Sequence, residues 1–363
     1  MNVLKSFLIF LSVFSFFKVQ AEELKTVSLR QLKSYLTYTK IHDPISLKFT
    51  RFPLASSYAS TWGAPVLPKT FLIKIPNGRV YSQNGYVIVA KKYLIKELLW
   101  SRPSFIRQRQ SLNIQTLPEV KRLKGRVVVL AQEGHNNYYY WITKILPKLA
   151  LLKSIQYDWL YLPRLTHPFQ RETLDLMGID PAKIIEADRD TYIEADMLIV
   201  PSFGSTSVYT PRWAIEYLQK NLIAPAATGP GFSKNVFVSR QKAAYRRILN
   251  EDDVFALFQP LGFKRYNLED LKFVEQVQLF QNAEVVVSFN SAGLTNLIFS
   301  KPGTHVIEIF QEHEDDVFCY LSQALHLKYD CLKTTRFKKN SVYTNTTVPL
   351  ESIKDLIKRK LRS

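Results

Sequence analysis

The chain reads as an α/β protein made of two successive alternating halves, and three observations predict this. Short apolar runs that stand as buried strands, such as 126–131 (RVVVLA) and 285–287 (VVV), alternate with stretches of helical periodicity. Such alternation implies parallel strands joined by crossover helices. The 363 residues exceed what one hydrophobic core usually organises, so two domains are expected. Between the two alternating sets, 224–233 (APAATGPGFS) concentrates Pro, Gly and small residues as a linker does. With 46% apolar and 22% charged residues the composition is that of a globular chain and excludes a disordered one.

In chain order, Lys5, an apolar run over 6–17 and Val19-Gln20-Ala21 have the parts of a secretory signal peptide, with cleavage after Ala21. The run is short for a bilayer span, and a retained N-terminal membrane anchor is the alternative. Residues 22–223 are read as the first α/β domain. Its early part, to about 65, is mixed, with helix-like spacing at Leu29, Leu32 and Leu36. From 71 the runs are punctuated by Pro76-Asn77-Gly78 and Asn84-Gly85, and Asn-Gly between alternating runs signals β-hairpins, hence an antiparallel β element near the N-terminus. Strands follow at 126–131, 158–162 and 197–200. A helix after 137 is capped by Asn136 or Asn137 and bent by Pro147, and another over 169–177 is closed by Gly178.

The second domain is read as 234–345. Its strands are 235–239 and 285–287, with 304–310 (THVIEIF) last, and its helices are 252–259 and 271–282. The stretch 284–299 (EVVVSFNSAGLTNLIF) is a strand, a turn of small residues and a helix opening at Leu294. Free N–H groups and a helix dipole at such a turn suit a phosphate. Residues 346–363 form an amphipathic basic helix with Leu350, Ile353, Ile357 and Leu361 on one face.

Two α/β halves leave a cleft at the carboxyl ends of their strands, where ligands bind in such folds. Ser239-Arg240 at a strand end, with Arg246 and Arg247 before Asn250-Glu251, offers guanidinium forks for phosphate oxygens. Glu275-Gln276 sits on a helix with an apolar face. Glu308, in an apolar strand, reads from spacing as an edge residue facing water, the other reading being a buried acceptor for a sugar hydroxyl. No metal-ligand spacing of His or Cys occurs. Cys319 and Cys331 leave a disulfide open in an exported chain, and Asn345-Thr346-Thr347 is a glycosylation sequon. The formal net charge of +18 favours anionic membranes, acidic glycans or phosphorylated ligands. Nucleic acid is not expected as a partner of an exported protein.

These motifs, in this order, resemble glycosyltransferase family 61: SRQKAAYRRILNEDD, a Glu-Gln helix, NSAGLTN in place of the family's His-Gly-Ala-Gly-Leu-Thr-Asn turn, and KPGTHVIEIF. Upstream, NYYYWITKILPKL and IPNGRV continue the likeness, which spans about 71–332. The resemblance implies a GT-B fold, two Rossmann-like domains facing across a cleft. It implies inverting, metal-independent transfer of a sugar from a nucleotide-sugar donor, a UDP-sugar, to a hydroxyl of a glycan or glycoprotein, with no cofactor. Arg240 and Arg247, with Ser239, would meet the diphosphate. Asn290, Ser291, Ala292, Gly293, Leu294, Thr295 and Asn296 would form the turn presented to it. Glu308 would bind the donor ribose, and Glu275 and Gln276 would line the pocket.

The chain departs from the family at four positions. Tyr140 stands where the family has His, Lys144 where it has an acidic residue, and Asn290-Ser291 where it has His-Gly. Inverting transfer needs a base for the acceptor hydroxyl, and Glu133 and His135, on the loop after a strand, are the candidates left. The alternative function is an exported, catalytically weak family member that binds glycan or an anionic polymer through its basic surface.

Overall fold

The computed structural model of the chain describes residues 24–48, 66–99, 117–206, 208–223, 226, 231–311, 315–333 and 344–361. The predicted signal segment and most of the predicted linker lie outside the described residues. The first half contains β1 (Lys25–Val27), β2 (Thr37–His42), a two-stranded ladder of β3 (Ile45–Ser46) and β4 (Val66–Leu67), β5 (Thr70–Pro76), β6 (Arg79–Tyr81), β7 (Tyr86–Val89) and β8 (Tyr93–Ile95). It continues with β9 (Lys121–Val129), β10 (Trp159–Pro163), β11 (Ile184–Ala187) and β12 (Tyr192–Pro201). The last four pair in parallel in the order β11, β10, β9, β12, so the chain builds outward from β9 and then returns to its other side. This is the opening of a doubly wound sheet, with its switch point between β9 and β12. The antiparallel element joins the same sheet: β5 and β6 both pair with β12, β2 pairs with β5, and β7, β8 and β1 follow β6.

The two Asn-Gly turns behave differently. Asn84-Gly85 closes the β6–β7 hairpin, Tyr81 opposite Tyr86. Asn77-Gly78 does not make a hairpin. It interrupts one line of pairing, because the strands on either side of it run along the same partner, with Asn77 N–H donating to Asp196 O and Gly78 O accepting from Ala195 N–H. The apparent helical spacing at 29–36 resolves into a single 3₁₀ turn, Leu29–Leu32, followed by β2.

The second half is a five-stranded, wholly parallel sheet: β13 (Asn235–Val238), β14 (Lys264–Tyr266), β15 (Val285–Phe289), β16 (His305–Phe310) and β17 (Lys328–Lys333) in the order β14, β13, β15, β16, β17. Its switch point lies between β13 and β15. β17 (KYDCLK) lies beyond the strands expected from the sequence, because it carries few apolar residues, which suits the edge of a sheet.

Alternation along the strands assigns the two faces. Val236, Val238, Val286 and Val306 enter one core, and Phe237, Val287, Phe289, Ile307 and Ile309 enter another. The helix Leu350–Lys360 closes the second of these with Ile353, Leu356 and Ile357. The first core is shared with the other half. Trp141, Ile145 and Leu218 meet Phe273, Leu294 and Phe318 in one cluster. Each such side chain contributes about 1.5–3 kcal/mol on burial, against about 1 kcal/mol for a typical hydrogen bond. Apolar packing therefore holds the halves together, and polar contacts set their register. Those contacts are Tyr138 Oη donating to Asn296 Oδ1 (2.6 Å), Phe273 N–H to Glu172 Oε2 (2.6 Å) and Gln219 Nε2 to Ile298 O (2.8 Å).

Candidate active site at two strand switch points

At the end of β13, Glu251 organises the turn. Ser239 Oγ donates to its Oε1 (2.5 Å) and Arg240 N–H to its Oε2 (2.8 Å). Burial raises the Glu251 pKa, and the two hydrogen bonds oppose that rise. The Arg240 guanidinium is buried. Its Nη2 donates to Tyr245 O (2.8 Å) and its Nε to Arg246 O (3.0 Å), so it folds the following loop over itself. Burial first, and then Arg246 nearby, push its pKa down to about 10, which leaves it charged at neutral pH.

That loop holds Arg246 at φ +54°, a left-handed conformation seldom taken by a side chain of this size. Arg246 Nη1 donates to Asn290 Oδ1 (3.2 Å), and its buried Nε has no partner among the described residues. Arg247 was expected, with Arg240, to meet the diphosphate. It is exposed, and its backbone is tied to Asn345 and Thr346 on the opposite side. Of the two adjacent arginines it is Arg246 that reaches the turn after β15, a choice that sequence alone leaves open.

Asn290 is the centre of that turn. It is buried, and its Nδ2 donates to Glu308 Oε1 (2.7 Å) while Tyr329 Oη donates to Glu308 Oε2 (2.6 Å). Glu308 is therefore not an edge residue facing water. β16 has a strand on each side and Glu308 is fully buried, with both oxygens taken by protein groups. Desolvation, helped by the charge of Asp315, raises its pKa to about 8, so the carboxyl is largely protonated at neutral pH.

Beyond Asn290 and the buried Ser291, the chain enters a 3₁₀ helix at Ala292, two residues before the expected start, and this helix runs to Phe299. Ala292 and Gly293 are half-buried, while Leu294, Thr295 and Asn296 are fully buried. Asn296 faces the interior, where it accepts from Tyr138 and donates to Gln276 Oε1 (3.0 Å). Gln276 Nε2 in turn holds Leu268 O and Leu271 O, and Glu275 accepts from Lys272 N–H to cap its own helix. Of the expected donor residues, then, Ser239, Arg240, Asn290, Ser291 and Glu308 gather at the switch point, with Ala292 and Gly293 at its edge. Glu275, Gln276 and Asn296 serve the framework behind it.

The switch point of the first half is built differently. The loop after β9 turns at Gly134, whose φ is +84° and where an added Cβ would lie 2.6 Å from the Tyr140 ring. Asn137, rather than Asn136, caps the next helical segment through Tyr140 N–H (3.2 Å). That segment has a short α turn, a π turn over Trp141–Ile145 and a 3₁₀ turn over Leu146–Leu151. It buries two lysines four residues apart. Lys144 Nζ donates to Thr210 Oγ1 (3.3 Å) and lies over the Tyr139 ring, and burial lowers its pKa well below the usual lysine range. Lys148 Nζ donates to Leu130 O (3.1 Å), and burial brings its pKa down to about 7.

Glu133 is buried beside Lys148 in the wall of one cavity, with Oε1 accepting from Tyr86 Oη (2.7 Å). His135 is also buried. Its Nδ1 lies 3.2 Å from Gln132 O, its Nε2 has no partner among the described residues, and burial lowers its pKa. It does not line the Glu133 cavity. Sequence reading missed Lys148, and the one signal for it was a lysine inside the apolar run ILPKLALL.

The sequence contains one Asp-x-Asp triplet, Asp188-Arg189-Asp190, a pattern that in other transferases can hold a metal ion. It forms an exposed turn between β11 and β12 in which Asp188 Oδ1 accepts from Asp190 N–H (2.9 Å) and Thr191 Oγ1 (2.7 Å). Among the described residues no group of three His, Cys, Asp or Glu is placed to hold a metal ion. Cys319 and Cys331 are thiols, the first buried and the second half-buried. No helix among the described residues is long and apolar enough to cross a membrane.

Comparison with known proteins points to the segment that carries the second switch point. Residues 138–307 match the family model described as Glycosyltransferase 61. The EGF domain-specific O-linked N-acetylglucosamine transferase of Drosophila melanogaster is 25% identical over 96 residues, and its counterpart in Mus musculus is 28% identical over 102 residues. Each alignment covers 26% of this chain but only 18 to 19% of the relative, so the chain matches about a fifth of the length of these curated proteins. The matched family segment holds Arg240, Arg246, Asn290 and the strands on both sides of the second switch point. The likeness to glycosyltransferase family 61 thus covers residues 138–307, a little under half of the chain.

Proposed function

We propose that the protein is an inverting, metal-independent glycosyltransferase that moves a sugar from a UDP-sugar to a hydroxyl of a glycan or glycoprotein. In this reading its two α/β halves form a GT-B pair, and its N-terminus directs it to an exported compartment. The observation that carries the reading is the convergence of Arg240, Arg246 and Asn290 at the β13/β15 switch point inside the family segment. A leaving diphosphate gains charge as its bond to the sugar breaks, and a fixed guanidinium at that place lowers the barrier by stabilising the charge as it develops. Arg246 is the group best placed to turn from Asn290 to a phosphate oxygen, while Arg240 holds the loop that presents it. Since the family relatives are N-acetylglucosamine transferases by name, UDP-N-acetylglucosamine is the first donor to test, followed by UDP-xylose and UDP-arabinose.

The test is a thermal-shift and donor-hydrolysis panel on wild type and Arg246→Ala. A nucleotide-dependent rise in melting temperature that Arg246→Ala loses is the expected result, and no shift with any donor would sink the reading. A second reading, a glycan- or anionic-polymer-binding family member with weak catalysis, is favoured by one observation: both ends of the Asn290 amide are already engaged, by Arg246 and Glu308. Nucleotide binding without hydrolysis or transfer across the donor panel would select it.

A further inference from the structure

At the carboxyl ends of β9 and β12 a cavity encloses about 20 Å³ and, counted with its open mouth, about 380 Å³. The smaller figure is room for a single water-sized group, such as one hydroxyl, and the larger includes the solvent-filled mouth above it. Its floor is polar and buried: the Gln132 amide, the Glu133 carboxylate and the Lys148 amine. Its rim is partly exposed and largely apolar, with Leu99 and Phe203. Gln132 is only 3% exposed, yet neither its Nε2 nor its Oε1 has a hydrogen-bond partner among the described residues. Leaving both ends of a buried amide unmade costs free energy, so the floor is built for a group that both donates and accepts.

The chemistry of the floor selects that group. Glu133 and Lys148 both line the floor, so a bare anion or a bare cation would meet a group of its own kind as well as its opposite. An apolar group would leave Gln132 unsatisfied. A neutral hydroxyl fits all three residues: Gln132 Oε1 or the carboxylate accepts its proton, while Gln132 Nε2 and the Lys148 amine donate to its oxygen. The sugar ring carrying that hydroxyl would then lie against Phe203, whose ring already packs 5.1 Å from Lys148 Nζ.

We propose that this cavity is a carbohydrate subsite that seats one hydroxyl of a neutral sugar between Gln132, Glu133 and Lys148. If the transferase reading holds, on which only the word acceptor rests, this sugar belongs to the acceptor and Lys148 is a binding residue for it.

The test is saturation-transfer NMR on the full chain without nucleotide, using the methyl glycosides of xylose, glucose, galactose and N-acetylglucosamine. At least one glycoside is expected to receive saturation. Lys148→Met should weaken the effect at least fivefold while the melting temperature holds or rises, and Gln132→Leu should weaken it while keeping the amine. No transfer to any of the four glycosides, or unchanged transfer in either variant, overturns the inference. So does a crystal grown at high glycoside concentration that holds an ordered water only. The donor panel separates the two ideas. Nucleotide stabilisation without glycoside binding removes the subsite alone, and glycoside binding without nucleotide stabilisation removes the transferase reading alone.

Discussion

Around Asn290 in the second half, amide, carboxyl, phenol and guanidinium groups hold one another, and the acid among them, Glu308, is kept largely neutral. Around Gln132 in the first half, buried polar groups face a cavity instead, and the titratable group that burial penalises beside them is a base, Lys148. Both places are switch points of parallel sheets, where two neighbouring strands send their chains apart and leave a crevice. The comparison teaches that topology supplies the crevice, while the side chains decide whether it is closed by internal bonds or left as a receptor. It also predicts opposite pH responses for the two halves.

The largest expected effect breaks the first-half side of that comparison. Lys148 has a folded pKa of about 7, below its unfolded value, so its destabilising contribution is full below pH 7 and is relieved as pH rises toward the unfolded lysine value. Lys148→Met should therefore raise stability by about 2–4 kcal/mol at pH 6 and by little near pH 10.5, as read by denaturant unfolding at both values. Equal gains at the two pH values would show that packing, not charge, is responsible.

Glu308 has the opposite sign. Its folded pKa of about 8 exceeds its unfolded value, so its contribution is present at acid pH and is lost as pH rises through 8. Glu308→Gln keeps one acceptor for Asn290 or Tyr329 and removes the titration. Its unfolding free energy should fall less steeply than that of wild type between pH 5 and 8.5. Parallel curves would place the titration elsewhere.

Arg240→Ala removes two hydrogen bonds from a buried charged group to backbone carbonyls, a loss of about 3 kcal/mol. Arg246→Ala, at a strained and half-buried position, should cost under about 1 kcal/mol while abolishing nucleotide stabilisation. Equal destabilisation by both would mean that Arg246 is structural as well. Smaller again, Tyr138→Phe deletes the bond to Asn296 and should cost about 1 kcal/mol without separating the halves, because apolar packing carries the interface. Loss of cooperative unfolding in Tyr138→Phe would contradict that account.

Much of the fold was legible in the sequence. Runs such as VVVL in β9 and VVV in β15 must be buried on both faces, and the helices between them follow from periodicity. The family motifs placed Ser239, Arg240 and the Asn290 turn at one strand-end crevice. β17 was not legible because an edge strand needs few apolar residues. The second Asn-Gly signal misled because a turn motif does not say which strand its flanks will pair with.

By itself the sequence determined the alternation, the two halves and the likeness to the family, because those depend on local periodicity and on motifs contiguous in the chain. Only the tertiary structure decided that Glu308 is buried and protonated, that Arg246 rather than Arg247 reaches Asn290, and that Lys148 faces Gln132 and Glu133. Each of those depends on desolvation or on contact between groups far apart in sequence. Glu308 meets Asn290 across 18 residues and Tyr86 meets Glu133 across 47. A carboxyl or an amine has the same letter whether water reaches it or not. Its charge is settled by what folds around it.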